Sequence, residues 1–352
     1  MNLALVPTRV PTRVTDHVAT LATAGPVPGR RSLGWSDIPP EGLTNQDLTR
    51  ITDAIAAGRA ESTRKTYAWQ WGRFDRWCAG RGITAMPASP VAVCAYLTDF
   101  AAQGVAAGTI ECACAAIAAA HETDGEVNPI ADQSVKAVRR GLRRTLGTAP
   151  RRQSRPLSTD DIRRMLANID RTTARGTRDA ALILLGFASA LRRSELAGLE
   201  LADIEPKPEG LLIHVRKSKT DPEARGQLVA VAHGQHAETD PVTALDAWLA
   251  YRGTGPGQLF TGFHHDRIGS RPFTGSGLAR MLKQRAAAAG IPSERVSGHS
   301  LRAGHATTAA LAGVGLDRIA AQTRHSRIST LVEHYIRPLE AMQVTSSRDL
   351  GL

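Results

Sequence analysis

In the stretch "STRKTYAWQWGRFDRWCAGRG", Tyr67, Trp71, Phe74 and Cys78 recur at spacings of four, three and four, while Arg64, Arg73 and Arg76 fall off that line. This is the period of an amphipathic helix with an apolar inner stripe and a basic outer face. The helical spacing makes the aromatic stripe a packing surface rather than a platform for stacked bases. Further helices are predicted at about 89–103, 107–122 and 131–146, separated by Gly and Pro signals. Residues 55–147 therefore read as a small all-helical bundle. Ahead of it, residues 1–45 carry Pro7, Pro11, Pro26, Pro28, Pro39 and Pro40 among scattered Arg and Thr with no sustained apolar period, the pattern of a mobile arm.

A second domain is expected over 157–345, after a Gly/Pro/Arg linker at 148–156. Ser158 or Thr159 caps its first helix, with Asp160 and Asp161 placed well against the helix dipole. A mostly apolar helix follows in "RDAALILLGFASALRRSELAGLELADI". Two β-rich runs around a polar turn in "GLLIHVRKSKTDPEARGQLVAVAHG" predict a hairpin. Beyond Val242 the pattern is helical again, broken by "GTGPGQLF" and "HHDRIGSRPFTGSG". The fold class is thus mostly α: a helical bundle followed by an α+β domain with a small antiparallel sheet. There is no internal repeat and no phosphate-cradling Gly-rich loop, so nothing points to nucleotide hydrolysis.

The 352 residues suffice for about two domains. Lys and Arg number 44 against 33 Asp and Glu, a net charge of +11, and the isoelectric point is near 10.1. That balance favours a polyanionic partner, nucleic acid first and an anionic membrane surface second. The membrane reading weakens because no run of about 18 apolar residues occurs and no secretory h-region is visible, which suggests a soluble intracellular protein. Cys78, Cys94, Cys112 and Cys114 fall in apolar helical segments and read as reduced, buried thiols. Cys112 and Cys114 with His121 lack a second ligand pair, so no metal is assigned.

Charge is concentrated at the junction of the two domains. From Ser134 to Leu157 the chain holds Lys136, Arg139, Arg140, Arg143, Arg144, Arg151, Arg152 and Arg155 and no acidic residue. Lys136, Arg140, Arg143 and Arg144 share one helical face. Eight uncompensated cations read as a phosphate track, since each neutralised phosphate releases condensed counterions. Arg64 and Lys65 are further candidates for DNA-backbone contact.

The candidate chemistry lies in the second domain. "ALRRSELAGL" places Arg192 three residues before Glu195, "RKSKTD" puts Lys219 at the hairpin tip, "SGHSLRAG" holds His299 and Arg302, and "RHSRISTLVEHYIRP" holds His325 and Tyr335. Six residues of these types in this order resemble the catalytic domain of the tyrosine site-specific recombinases and phage-type integrases. The resemblance covers about 60–340 and implies the DNA breaking-rejoining fold, a helical core-binding domain, double-stranded DNA as partner, four protomers on paired sites, no cofactor and a cytoplasmic, nucleoid-associated setting. Tyr335 lies one residue farther from His325 than in most relatives, and an insertion in the connecting turn restores the geometry. Lys217 competes with Lys219 and Arg193 with Arg192; nearness to the turn favours Lys219 and the Glu three residues on favours Arg192.

The chemistry agrees with the resemblance. Phosphodiester transesterification gathers charge on non-bridging oxygens, which Arg192 and Arg302 can clamp with planar donors charged at any working pH. A tyrosine hydroxyl becomes a nucleophile once a base helps remove its proton. His299 can accept that proton or bond the phosphate, and His325 can hold a phosphate oxygen. By resemblance, Lys219 protonates the departing 5′ oxygen and the product is a 3′-phosphotyrosine. Glu195 is either a partner of Arg192 or a helix-surface residue. A type IB topoisomerase and a non-catalytic DNA-binding regulator remain alternative readings.

Overall fold

The computed structural model describes residues 42–148, 153–216, 226–265, 267–325 and 328–332, with 347, 350 and 351 near the C-terminus. Nearly all of the predicted arm, together with Arg151, Arg152, Lys217, Lys219 and Tyr335, lies outside the described residues. The chain divides into two compact units, Met1–Arg151 and Arg152–Leu352. No helix among the described residues is long and apolar enough to cross a membrane.

Among the described residues, five α-helices build the first unit: α1 (Asn45–Ala57), α2 (Glu61–Ala79), α3 (Pro90–Ala102), α4 (Ala107–Asp124) and α5 (Gln133–Leu146). The pattern along the chain did not signal α1, whose entry is a reciprocal cap in which Asp47 accepts from the Thr44 amide and Thr44 Oγ1 accepts from the Asp47 amide. Trp71, Phe74 and Cys78 of α2 are fully buried. Phe74 meets Tyr96 of α3 edge-on at 5.1 Å, and Tyr96 stacks on Phe100 at 5.4 Å. Burial pushes the Cys78 thiol up to about 11 and Cys114 to about 12, so both pack as small apolar groups. His121 is also core: Nδ1 lies 2.8 Å from the Ile117 carbonyl and Nε2 accepts from the Ala88 amide at 2.9 Å, which uses both ring nitrogens.

The second unit opens with α6 (Thr159–Ala167), capped by Ser158, whose Oγ accepts from the Asp161 amide while Asp161 accepts from the Ser158 amide. The long apolar stretch after it is not one helix. α7 (Ala174–Ser189) ends at Ala190, which takes φ +50°, and a short α8 (Arg193–Ala197) restarts beyond it. A left-handed turn on an alanine carries no glycine signal, so the break was invisible to periodicity.

β1 (Ile204–Lys207), β2 (Gly210–Val215) and β3 (Gln227–Ala232) form an antiparallel sheet in that order, with β2 and β3 in register from Gly210↔Ala232 to Val215↔Gln227. After α9 (Pro241–Arg252), the segment expected only to interrupt helices forms a second hairpin, β4 (Thr261–His264) and β5 (Arg267–Pro272). Its short, Gly-containing strands lack apolar alternation. α10 (Gly275–Ala288), α11 (His299–Leu311), α12 (Leu316–Thr323) and the short α13 (Ile328–Leu331) are the remaining helices among the described residues.

Close helix contacts fix α11 against the core. A Cβ on Gly186 of α7 would lie 2.7 Å from Leu301 Cδ1, and one on Gly304 would lie 2.0 Å from the Leu157 carbonyl oxygen. These contacts hold the helix that carries His299 and Arg302. Leu331 of α13 is buried with Ala303, Ala306 and Ile319, which docks the entry to the Tyr335 segment on α11 and α12.

Candidate active site

The break at Ala190 creates one wall of the site. It frees Arg192 from helix α7 and places it at the N-terminus of α8, where Glu195 accepts its backbone amide at 2.7 Å and its Nη1 at 2.9 Å. The carbonyl of Ala190 is turned the other way and accepts Nη1 of Arg302 at 2.8 Å. Arg302 is 2% exposed on α11, so its guanidinium is held by packing as well as by bonds.

The opposite wall is the turn after α12. Thr323 Oγ1 donates to the Ile319 carbonyl at 2.6 Å, which uses its one proton. It must therefore accept from His325 Nδ1, 2.7 Å away, leaving Nε2 as the nitrogen that meets Arg302 Nη2 at 3.4 Å. Arg192 Nη2 reaches the carbonyl of residue 324 at 3.5 Å. Arg192 and Arg302 thus flank the same turn, one through its backbone and one through the His325 ring.

Glu195 stands behind both walls. Its side chain is 2% exposed and takes a second cation, Arg324, whose side chain is 5% exposed. Burial alone would raise this carboxyl; the hydrogen bonds from Arg192 and the charge of Arg324 outweigh it and hold the group below its ordinary value. Glu195 is therefore a partner of Arg192 rather than a surface residue. Arg193 takes a different course, with its side chain against Gly298 and Gly275. His299, at the first position of α11, is exposed, and its amide is bonded by Ser297 Oγ at 3.1 Å.

The turn end of the β2–β3 hairpin borders this cluster. Arg216, three residues before Lys219, donates through Nε to Asp203 at 2.7 Å and pairs with Glu200 at 3.0 Å. A depression of about 370 Å³ there is lined by Ser194, Glu195, Glu200, Asp203, Val215 and Arg216 among others. From the other side, Gln322 of α12 donates to the carbonyls of Ala188 and Ala230, tying the turn to α7 and β3.

In the first unit, a groove of about 510 Å³ along α5 is lined by Glu111, Lys136, Arg139, Arg140, Arg143, Arg144 and Thr148. Val135 of the same helix is buried in the core of the unit. The expectation of eight uncompensated cations needs correction: Arg139 is paired with Glu111 of α4, and Arg155 with Asp161 at 3.1 Å. Both partners lie outside the 134–157 stretch, so the local sequence could not reveal them. Lys65 is exposed and paired with Glu61 at 2.6 Å, while Arg64 is half-buried.

Residues 155–342 match the model of the phage integrase family. The chain belongs to that family, the tyrosine site-specific recombinases. It is 33% identical over 286 residues to an integrase/recombinase xerD homolog of Selenomonas ruminantium, covering 80% of this chain and 83% of that one. To the recombinase cre of Escherichia phage P1 it is 26% identical, over 75% of this chain and 80% of the other. Among solved structures it resembles the XerH site-specific recombinase bound to palindromic difH substrate in a post-cleavage complex (TM-score 0.63, 14% identity, 94% of this chain and 95% of that one). It also resembles a lambda integrase dimer bound to a COC′ core site (TM-score 0.58, 16% identity, 84% and 79%). At these identities the likeness to the two structures is one of fold.

Within this recombinase, the structure brings Arg192, Glu195, Arg302 and His325 together and leaves His299 at the exposed N-terminus of the helix that carries Arg302. Sequence reasoning missed Arg324, Thr323 and the Ala190 carbonyl. Arg324 stands beside His325 in "QTRHSR", but neither its burial nor its backbone angle has a signature in that string.

Proposed function

We propose that the protein is a site-specific recombinase that cuts and rejoins double-stranded DNA through a 3′-phosphotyrosine at Tyr335. The observation that carries this reading is the placing of Arg192 and Arg302 on either side of the turn leading to His325, each fixed by bonds to buried groups. Donors fixed before the reaction stabilise developing phosphoryl charge without reorganising. In the forward step His299 takes the phenol proton, the Tyr335 oxygen attacks phosphorus, the bond to the 5′ oxygen breaks, and Lys219 protonates the leaving oxygen. Reversal by a 5′ hydroxyl of a second strand restores the diester. The tyrosyl ester conserves the energy of the broken bond, so the chemistry demands neither ATP nor a metal.

Lys136, Arg140, Arg143 and Arg144 hold the DNA backbone in the first unit, with Arg64, Lys65, Arg139, Arg151 and Arg152 as further contacts. We assign the domains as an arm at 1–45, a core-binding bundle at 55–147, a basic linker at 148–156 and a catalytic domain at 157–345. The XerH and lambda integrase neighbours are bound to DNA, the latter as a dimer, which supports a duplex partner. Four protomers on paired sites, acting at the nucleoid in the cytoplasm, complete the reading.

The test is covalent trapping. Wild type and Tyr335→Phe are incubated with labelled fragments flanking the protein's own gene and run on a denaturing gel. A DNA-linked band in wild type alone supports the proposal. Salt-sensitive binding with no linked band favours a DNA-binding regulator, and relaxed supercoils without recombinant products favour a topoisomerase.

A further inference from the structure

Arg324 is held in the site at a cost. It closes α12 with φ +54° and ψ +48°, a left-handed conformation that glycine adopts freely and a side chain resists. Its guanidinium is buried, and burial pulls it down from its ordinary value against the pull of Glu195. Among the described residues, its Nε and Nη1 have no hydrogen-bond partner. Packing does not require such a residue: a glycine would close the same turn without strain or desolvation.

Charge supplies the reason. Arg192 and Glu195 form a pair with no net charge. A guanidinium so neutralised is a weak clamp, and a buried carboxylate beside the scissile phosphate would repel it. Arg324 adds one positive charge to that pair, and Arg302 adds a second. Attack of a phenoxide on a phosphodiester spreads two negative charges over the phosphorus oxygens, so the doubly positive cluster matches the transition state better than the singly charged ground state. Arg324 also accepts Arg192 through its own carbonyl and is joined directly to His325.

Resting on the recombinase chemistry above, we propose that Arg324 is a positioning residue for strand cleavage: it neutralises Glu195 so that Arg192 keeps its charge for the scissile phosphate, and it locks that pair to the turn bearing His325. The groups facing Glu195 are Arg192 and Arg324, with Glu200, Asp203 and Arg216 around the same depression.

The experiment follows single-turnover formation of the covalent complex by the full chain on a cleaved flanking fragment, for wild type, Arg324→Gly, Arg324→Lys, Glu195→Gln and Arg324→Gly/Glu195→Gln. Glycine suits the backbone angle, so Arg324→Gly keeps the turn. It is expected to cleave about 30-fold more slowly at pH 7.5, the scale of losing one partner of a buried charge pair. Arg324→Lys recovers most of the rate. In the Glu195→Gln background, the further loss from Arg324→Gly shrinks to within about threefold, because no carboxylate is left to neutralise. The deficit of the single variant also narrows as pH falls, since Glu195 without Arg324 takes up a proton more readily than in wild type.

Wild-type cleavage by Arg324→Gly, or an undiminished deficit in the Glu195→Gln background, overturns the proposal. Thermal melting separates it from the wider reading. If wild type forms no covalent complex, the recombinase chemistry itself falls. A Tm difference between wild type and Arg324→Gly that shifts in favour of the variant as pH falls below the ordinary carboxylate range would still show the coupling to Glu195, and a pH-independent difference would refute it.

Discussion

Arginines dominate two regions of this protein and are treated oppositely in each. On α5, Lys136, Arg140, Arg143 and Arg144 are exposed around an open groove. In the second unit, Arg302 and Arg324 are buried, and Arg192 is largely so, each held by a carbonyl, a ring or the Glu195 carboxylate. Exposed cations keep their hydration and their rotamers, so each contributes a modest, salt-screened attraction to a phosphate. Buried, bonded guanidiniums have lost that freedom on folding, and their donors are already in place when charge develops. On the proposed function, one residue type therefore serves affinity in one unit and rate in the other.

The largest effect that would sharpen this contrast belongs to Arg302. Arg302→Lys keeps the charge but loses the planar fork that spans the Ala190 carbonyl and His325, and single-turnover cleavage should fall about 100-fold or more, with little change in the Kd for DNA. A comparable loss in affinity and rate would blur the distinction. Next, replacing Lys136, Arg140, Arg143 and Arg144 together by Ala should flatten the plot of log Kd against log salt by about 3 to 4 in slope, at roughly 0.9 per phosphate released. An unchanged slope would remove α5 from the interface.

Stability against pH probes the buried side alone. Glu195 titrates below its ordinary value of 4.5 in the folded chain, so its stabilising contribution is present above that pH and is lost as pH falls through the folded value. Wild type should therefore lose more Tm than Glu195→Gln between pH 6 and pH 3. Equal losses would mean that the carboxylate is not held by its arginines. The smallest effect lies within α5: Arg143→Ala should lower the salt slope by nearly 1, and Arg139→Ala by less, because Arg139 is committed to Glu111.

What the sequence disclosed follows the same division. Local regularities were legible: the four-three-four spacing marked α2, the Ser158 cap marked α6, and β2 with β3 appeared from β-rich runs on either side of a polar turn. Arg192, Arg302 and His325, which the structure brings together, could be singled out from their types and order along the chain. Features set by distant parts of the chain were not. Glu111 lies 28 residues from Arg139, and Glu195 lies 129 from Arg324. Ala190 and Arg324 both adopt left-handed angles that their identities disfavour, since the surrounding core determines them. Those two positions shape the site most, and both break the local rules on which sequence reading depends.

The most direct measurement is the identity of the DNA-linked residue and of the linkage. The trapped complex would be digested with protease and nuclease, and the nucleotide-bearing peptide sequenced by mass spectrometry. A single modified peptide with the nucleotide on Tyr335 through a 3′ phosphate is the predicted result. Attachment through a 5′ phosphate, or at any residue other than Tyr335, would contradict it.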